Sequence, residues 1–197
     1  MVDLNTFEEK QQILGLETGA IGHCAVDPIH EYLTYTLNNE IFIFDKNCEK
    51  FFFYLFRHKY SFKLSHNLKQ DIQGIDYNPN KQYYLMTAHS DYLKFWDIRK
   101  ANIPVKCIDD HHSLILSAHY NHSHDELLIV SYDDGTVGLQ RISSVSSAPS
   151  GEREDALVNL YDEHEDSVYK AEWSGFSPWI FGSISYGAGN LVVNTVS

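Results

Sequence analysis

Positive charge, cysteine and long apolar runs are scarce in this sequence, and each scarcity removes a class of protein. Fifteen Lys and Arg stand against 27 Asp and Glu, giving a net charge of −12. Binding to nucleic acid or an anionic membrane surface draws its affinity from neutralised phosphates, so neither is expected as a partner. The three cysteines, Cys24, Cys48 and Cys107, are odd in number, widely spaced and without a C-x-x-C pair. They suggest neither a disulfide framework nor a zinc knuckle, and reduced thiols are expected. The longest apolar candidate, FFFYLF at Phe51–Phe56, covers six residues, against the roughly 18 to 20 that span a bilayer. The start, MVDLNTFEEKQQ, lacks the basic opening and apolar stretch of a secretory signal, so a cytoplasmic chain is expected.

What the chain has instead is a 43% hydrophobic and 14% aromatic composition, ample for a packed core in 197 residues. Short runs rich in β-branched and aromatic residues are punctuated by Asn, Asp, Gly and Pro, and there is little 3.6-residue periodicity. IQGIDY (Ile72–Tyr77), QYYLMTA (Gln82–Ala88), YLKFWDI (Tyr92–Ile98) and PVKCID (Pro104–Asp109) read as four consecutive strands, with turns at Asn78–Asn80 and His89–Asp91. The order then repeats. LILSAHY, ELLIVSY and TVGLQRI follow, with Leu157–Tyr161 as a candidate fourth strand, and then SVYKAEW, WIFGSIS and NLVVNTV. AIGHCAV, YLTYTL and EIFIFD form a degenerate copy upstream.

Aligned on the first turn of each copy, at Pro28, Pro79, Ser123 and Pro178, the period is roughly 44 to 55 residues, the size of a propeller blade. The expected fold is all-β, a propeller with about four blades present. The segments are a 1–19 amino-terminal stretch, a degenerate blade over 20–66 with a long connection, a blade over 67–110, another over 111–161 with a Ser-rich loop at 143–155, and a carboxyl-terminal blade over 162–197. The Ser-rich loop reads as solvated, FFFYLF as a buried outer strand, and Phe7–Leu16 as a short helix with an alternative as a closing strand.

Trp96 and Asp97 end a third strand, LKFWDIR, where a WD repeat carries the dipeptide that names it. The chain resembles WD repeats, and the resemblance implies a buried hydrogen-bonded network of His, Ser or Thr, Asp and Trp in each blade. It assigns Thr87, Asp91 and Trp96 to one blade, His111, Ser131 and Asp134 to the next, and His164 with Ser183 or Ser185 to the last. His66 is the nearest candidate for the first histidine of the Thr87 blade. Gln140 replaces a tryptophan, and the final turn, YGAG, has no Asp.

A closer likeness rests on DYNPNKQYYL, KFWDIR, YNHSHDELL, SSVSSAP and HEDSVYKAEWS followed by SPWIFGSISY. These strings resemble the WD-repeat family of proteins that interact with the endosome-associated recycling (EARP) and Golgi-associated retrograde (GARP) tethering complexes, matching the carboxyl-terminal half of the family pattern. The resemblance implies a non-enzymatic scaffold that binds EARP/GARP-type tethering complex subunits in vesicle traffic, with peripheral placement at the trans-Golgi network and endosomes. A generic WD-repeat scaffold of another complex is the alternative. The chain is partial relative to the family's seven-bladed ring, and two expectations stand side by side: it is a truncated product, or it closes through self-association or a partner.

The histidine-rich stretch HHSLILSAHYNHSHD, His111 to Asp125, invites a metal-site reading. A strand rises about 3.3 Å per residue, so His112 and His122 stand roughly 30 Å apart, and one zinc with ligands at about 2.0 to 2.1 Å cannot hold both. A metal-assisted hydrolase built on His119, His122 and Asp125 is the remaining enzymatic alternative. The expectation is no metal, no cofactor and no catalytic residue, with NHSHD a polar turn whose side chains cap backbone groups.

Overall fold

The computed structural model describes residues 21–30, 32–37, 40–44, 72–100, 103–147, 154–187 and 189–196. FFFYLF, His66, Cys48, Phe7–Leu16 and the middle of the Ser-rich loop lie outside them. The described residues form four antiparallel sheets in chain order. The first is β1 (Ile21–Val26), β2 (Leu33–Leu37) and β3 (Glu40–Phe44). The second is β4 (Ile72–Tyr77), β5 (Tyr84–His89), β6 (Leu93–Asp97) and β7 (Lys106–Ile108). The third is β8 (Ile115–Tyr120), β9 (Leu127–Tyr132), β10 (Val137–Arg141) and β11 (Ala156–Tyr161), and the fourth is β12 (Val168–Trp173), β13 (Ile180–Ser185) and β14 (Leu191–Thr195). Each is a meander, and the first strands lie side by side, β1 on β4, β4 on β8 and β8 on β12. This is the radial stacking of a partial WD-repeat propeller.

The four sheets repeat in register as well as in order. Near the start of β1, β4, β8 and β12 the pairing with the next strand slips by one residue, after Ile21, Ile72, Ile115 and Val168 respectively. Such a slip bends the strand and adds twist. The residue that follows each first strand then caps the turn. The side-chain oxygens of Asp27, Asn78, Asn121 and Ser174 each accept from the backbone N–H groups two and three positions on. Asn and Asp do this because their short side chains reproduce a backbone turn.

With the registers aligned, each inter-sheet core is seen to use the same positions. Ile41 and Ile43 of the first sheet pack on Ile72, Ile75 and Tyr77 of the second. Leu93 and Phe95 of the second pack on Ile115, Ala118 and Tyr120 of the third. Val137 and Leu139 of the third pack on Val168, Ala171 and Trp173 of the fourth. Because side chains alternate across a strand, one face of every sheet projects forward and the other receives.

The Ser-rich loop is less solvated at its start than its composition suggests. Val145 is buried in the core between the second and third sheets, and Ser147 donates from its backbone N–H and its hydroxyl to Asp125. His89, expected in a turn, is the last residue of β5 and is fully buried.

Candidate functional site

In the second sheet, Trp96 Nε1 donates to Thr87 Oγ1 at 3.0 Å, and the same hydroxyl shares a 3.0 Å hydrogen bond with His89 Nε2. All three side chains are buried. Desolvation is the largest influence on His89, and it pulls the imidazole down from 6.5 to about 4, helped by the Lys94 charge and opposed by that of Asp91. The imidazole is therefore neutral at physiological pH. Asp91 stands in the β5–β6 turn.

The third sheet builds a different cluster at the same place. Gln140 pairs with Leu128 as Trp96 pairs with Leu85, and Tyr132 holds the position of His89. The Tyr132 hydroxyl lies 3.0 Å from His111 Nδ1 and accepts from Gln140 Nε2 at 3.3 Å, while Gln140 Nε2 is also 3.1 Å from His111 Nδ1. Burial pushes the Tyr132 phenol up and pulls the His111 imidazole down. His111, Ser131 and Asp134 are not brought together. Ser131 shares a 2.8 Å bond with Ser117, whose hydroxyl also accepts from the backbone N–H of Ala171. Asp134 accepts from Thr136 and faces His112 Nε2 at 3.2 Å. In the fourth sheet His164 Nε2 meets Ser183 Oγ at 2.8 Å, and Asn194, in the position of Trp96, donates to Glu163.

The remaining histidines disperse. His119 lies between Asp76 and Glu172, at 3.7 and 3.8 Å. His124 packs on Trp179 with ring centroids 4.8 Å apart, His122 is exposed, and Asp125 is engaged by Ser147. Among the described residues no three His, Cys, Asp or Glu side chains are grouped to hold a metal ion. A groove of about 320 Å³ runs between the outer strands of the second and third sheets, lined in part by Lys106, His111, Gln140, Arg141 and Asp155. Its charged walls pair with each other, Lys106 Nζ lying 3.2 Å from Asp155.

The surface offers more than the groove. The β12–β13 turn presents Phe176 fully exposed and Trp179 nearly half exposed, at the end of the sheets that also carries the Asn78 and Asn121 turns. The turn is tied down, since Asn121 Nδ2 donates to the Pro178 carbonyl at 2.6 Å. Aromatic side chains held on a rigid base are the usual anchors of a protein interface. The sequence reading named neither aromatic as a contact, because it placed Phe176 in a turn and Trp179 at the start of the strand WIFGSIS. Among the described residues no helix is long and apolar enough to cross a membrane.

Sequence comparison identifies relatives of this repeat array. An EARP-interacting protein homolog of Gekko japonicus is 39% identical over 150 residues, covering 64% of this chain and 38% of its own length. The human EARP and GARP complex-interacting protein 1 is 38% identical over 150 residues with the same coverage. The chain is a homologue of these proteins. The WD repeat-containing protein DWA2 of Arabidopsis thaliana is 31% identical over 134 residues. This homologue spans about 38% of the length of the relatives it matches. No protein-family model matches it.

Proposed function

We propose that this chain is a protein-interaction scaffold without chemistry of its own, and that it binds a multisubunit tethering complex of the EARP/GARP type in endosomal recycling and endosome-to-Golgi retrograde traffic. The observation that carries the reading is its identity, 38 to 39%, to proteins named for interaction with those complexes. Three features support it. The imidazole of His89, which burial depresses strongly, is enclosed with Thr87 and Trp96 in a hydrogen-bonded cluster inside the second sheet. The net charge of −12 disfavours phosphate-rich partners. The Phe176 and Trp179 turn supplies apolar anchors on a rigid edge. In this reading Thr87, Asp91, Trp96, His111, Ser131, Asp134 and His164 hold the sheets in shape and contact no partner, and the chain acts in the cytoplasm, peripheral to trans-Golgi network and endosomal membranes.

The test is affinity purification of the tagged chain from its own cells with mass spectrometry, alongside a Phe176→Ser, Trp179→Ser double variant. Recovery of tethering-complex subunits in near-stoichiometric amounts, reduced at least tenfold by the double variant, is expected. Recovery of another intact complex would replace the partner and leave a generic WD-repeat scaffold. Recovery of chaperones alone would overturn the reading for this chain.

A further inference from the structure

Trp96 is fully buried in the core that the second sheet shares with Ile41 and Ile43 of the first. Gln140 takes the same register position in the third sheet, and beside this shorter side chain lies the groove of about 320 Å³ between the second and third sheets. Gln140 is 7% exposed. Its Nε2 is used by Tyr132 and His111, while its Oε1 is buried without a hydrogen-bond partner, a costly state for an acceptor. Leu157 and Leu160 pair with Gln140 and Gly138, so they share that face of the sheet and turn toward the second sheet, yet they are 49% and 41% exposed. On the opposite wall, Ile108 pairs with Leu93, whose side chain packs on the third sheet. The Lys106–Asp155 pair closes one end of the groove. At the other end Asp109 and Asp110 are exposed, and among the described residues no Lys or Arg side chain pairs with them. Both walls belong to sheets with a neighbour on each side, so the opening is a property of these two sheets.

We propose that this groove binds an extended segment of a protein partner in which a lysine or arginine stands beside aliphatic residues. The proposal rests on the protein-interaction reading above and gives that reading a surface. Each part of the groove matches one part of such a segment. The walls are strands, so a chain lying between them is extended, and extended segments are recognised by main-chain hydrogen bonds together with pockets for alternate side chains. Aliphatic side chains cover Leu157 and Leu160. The cation meets Asp109 and Asp110, where a carboxylate of the partner would be repelled. A backbone N–H supplies the donor that Gln140 Oε1 lacks. A free inorganic cation would satisfy the two aspartates and leave both leucines in water, so the apolar wall favours a polypeptide.

The experiment titrates the 197-residue chain with a library of capped heptapeptides in which one position is fixed as Arg and the rest are drawn from Ala, Leu, Val and Thr. The control is the same library with Glu at the fixed position, and backbone amide shifts in nuclear magnetic resonance spectra report where binding occurs. The Arg library is expected to bind about tenfold or more tightly than the Glu library, to weaken as salt rises, and to shift amides of β7, β11 and residues 109–112. Asp109→Asn with Asp110→Asn, both at exposed positions, should weaken binding by about tenfold. Gln140→Trp, which puts the residue of the second sheet into the third, should abolish it by filling the groove. The Phe176→Ser, Trp179→Ser variant should bind as the wild type does. No binding by the Arg library, equal binding by the Glu library, or shifts centred elsewhere would each overturn the proposal. The two readings fail separately. Tethering-complex subunits recovered undiminished by the Asp109→Asn, Asp110→Asn variant would remove the groove and leave the function, whereas peptide binding in the groove by a chain that recovers no such subunits would keep the groove and remove that partner.

Discussion

His89 is the residue that most clearly separates pattern from structure. Its imidazole is held near 4 against an ordinary value of 6.5 because it is desolvated beside the Thr87 hydroxyl, within the field of Lys94. Its effect on stability has a definite sign. As pH falls below about 6.5 the unfolded chain binds a proton at this position and the folded chain does not, so folding stability declines until the folded imidazole protonates near 4. His111, also depressed by burial, acts in the same direction. The midpoint of urea unfolding is expected to fall steadily between pH 6.5 and 5, a window above most carboxylate titration. His89→Gln should flatten that slope. An unchanged slope in the variant would mean that the buried imidazole is not the source. The position was unreadable from the sequence because the WD pattern seeks its histidine before the first strand, whereas His89 ends the second.

At the scale of the element, strand identity was legible and side-chain facing was not. β-branched and aromatic runs ended by Asn, Asp, Gly or Pro marked every described strand to within about two residues, because those residue types fit a pleated surface and those punctuators fit turns. Ser131 shows what the pattern lacks. The residue in register with Thr87 is Val130, so Ser131 faces the opposite side and bonds to Ser117. A shift of one residue along a strand exchanges the faces, and spacing alone does not reveal the slip that each first strand carries. The turn after β8, by contrast, was legible in the sequence as NHSHD, a polar turn whose side chains cap backbone groups, whereas the matching caps at Asp27, Asn78 and Ser174 came only with the structure. Asn121 carries the most: it is fully buried, accepts two backbone N–H groups and donates to Pro178 across sheets. Asn121→Ala is expected to lower stability by about 2 to 3 kcal/mol, since buried donors and an acceptor lose their partners. Asn121→Ser should lower it less, because a hydroxyl oxygen can keep the two caps, as that of Ser174 does in the fourth sheet, and only the amide donor is lost. Chemical denaturation of the three proteins would give the ranking, and equal losses would show that the cross-sheet bond, not the cap, dominates.

For the whole molecule, stability follows from neighbours. Among the described residues the second and third sheets are covered on both faces, the first and fourth on one each, and a repeat array of this kind has a stability close to the sum of its units and their interfaces. Regions with few buried contacts open first, at free energies below that of global unfolding. In dilute solution, amide hydrogen exchange is therefore expected to be slowest in β5, β6, β9 and β10 and fastest in β14. Equal protection in all four sheets would instead indicate global unfolding as the route of exchange.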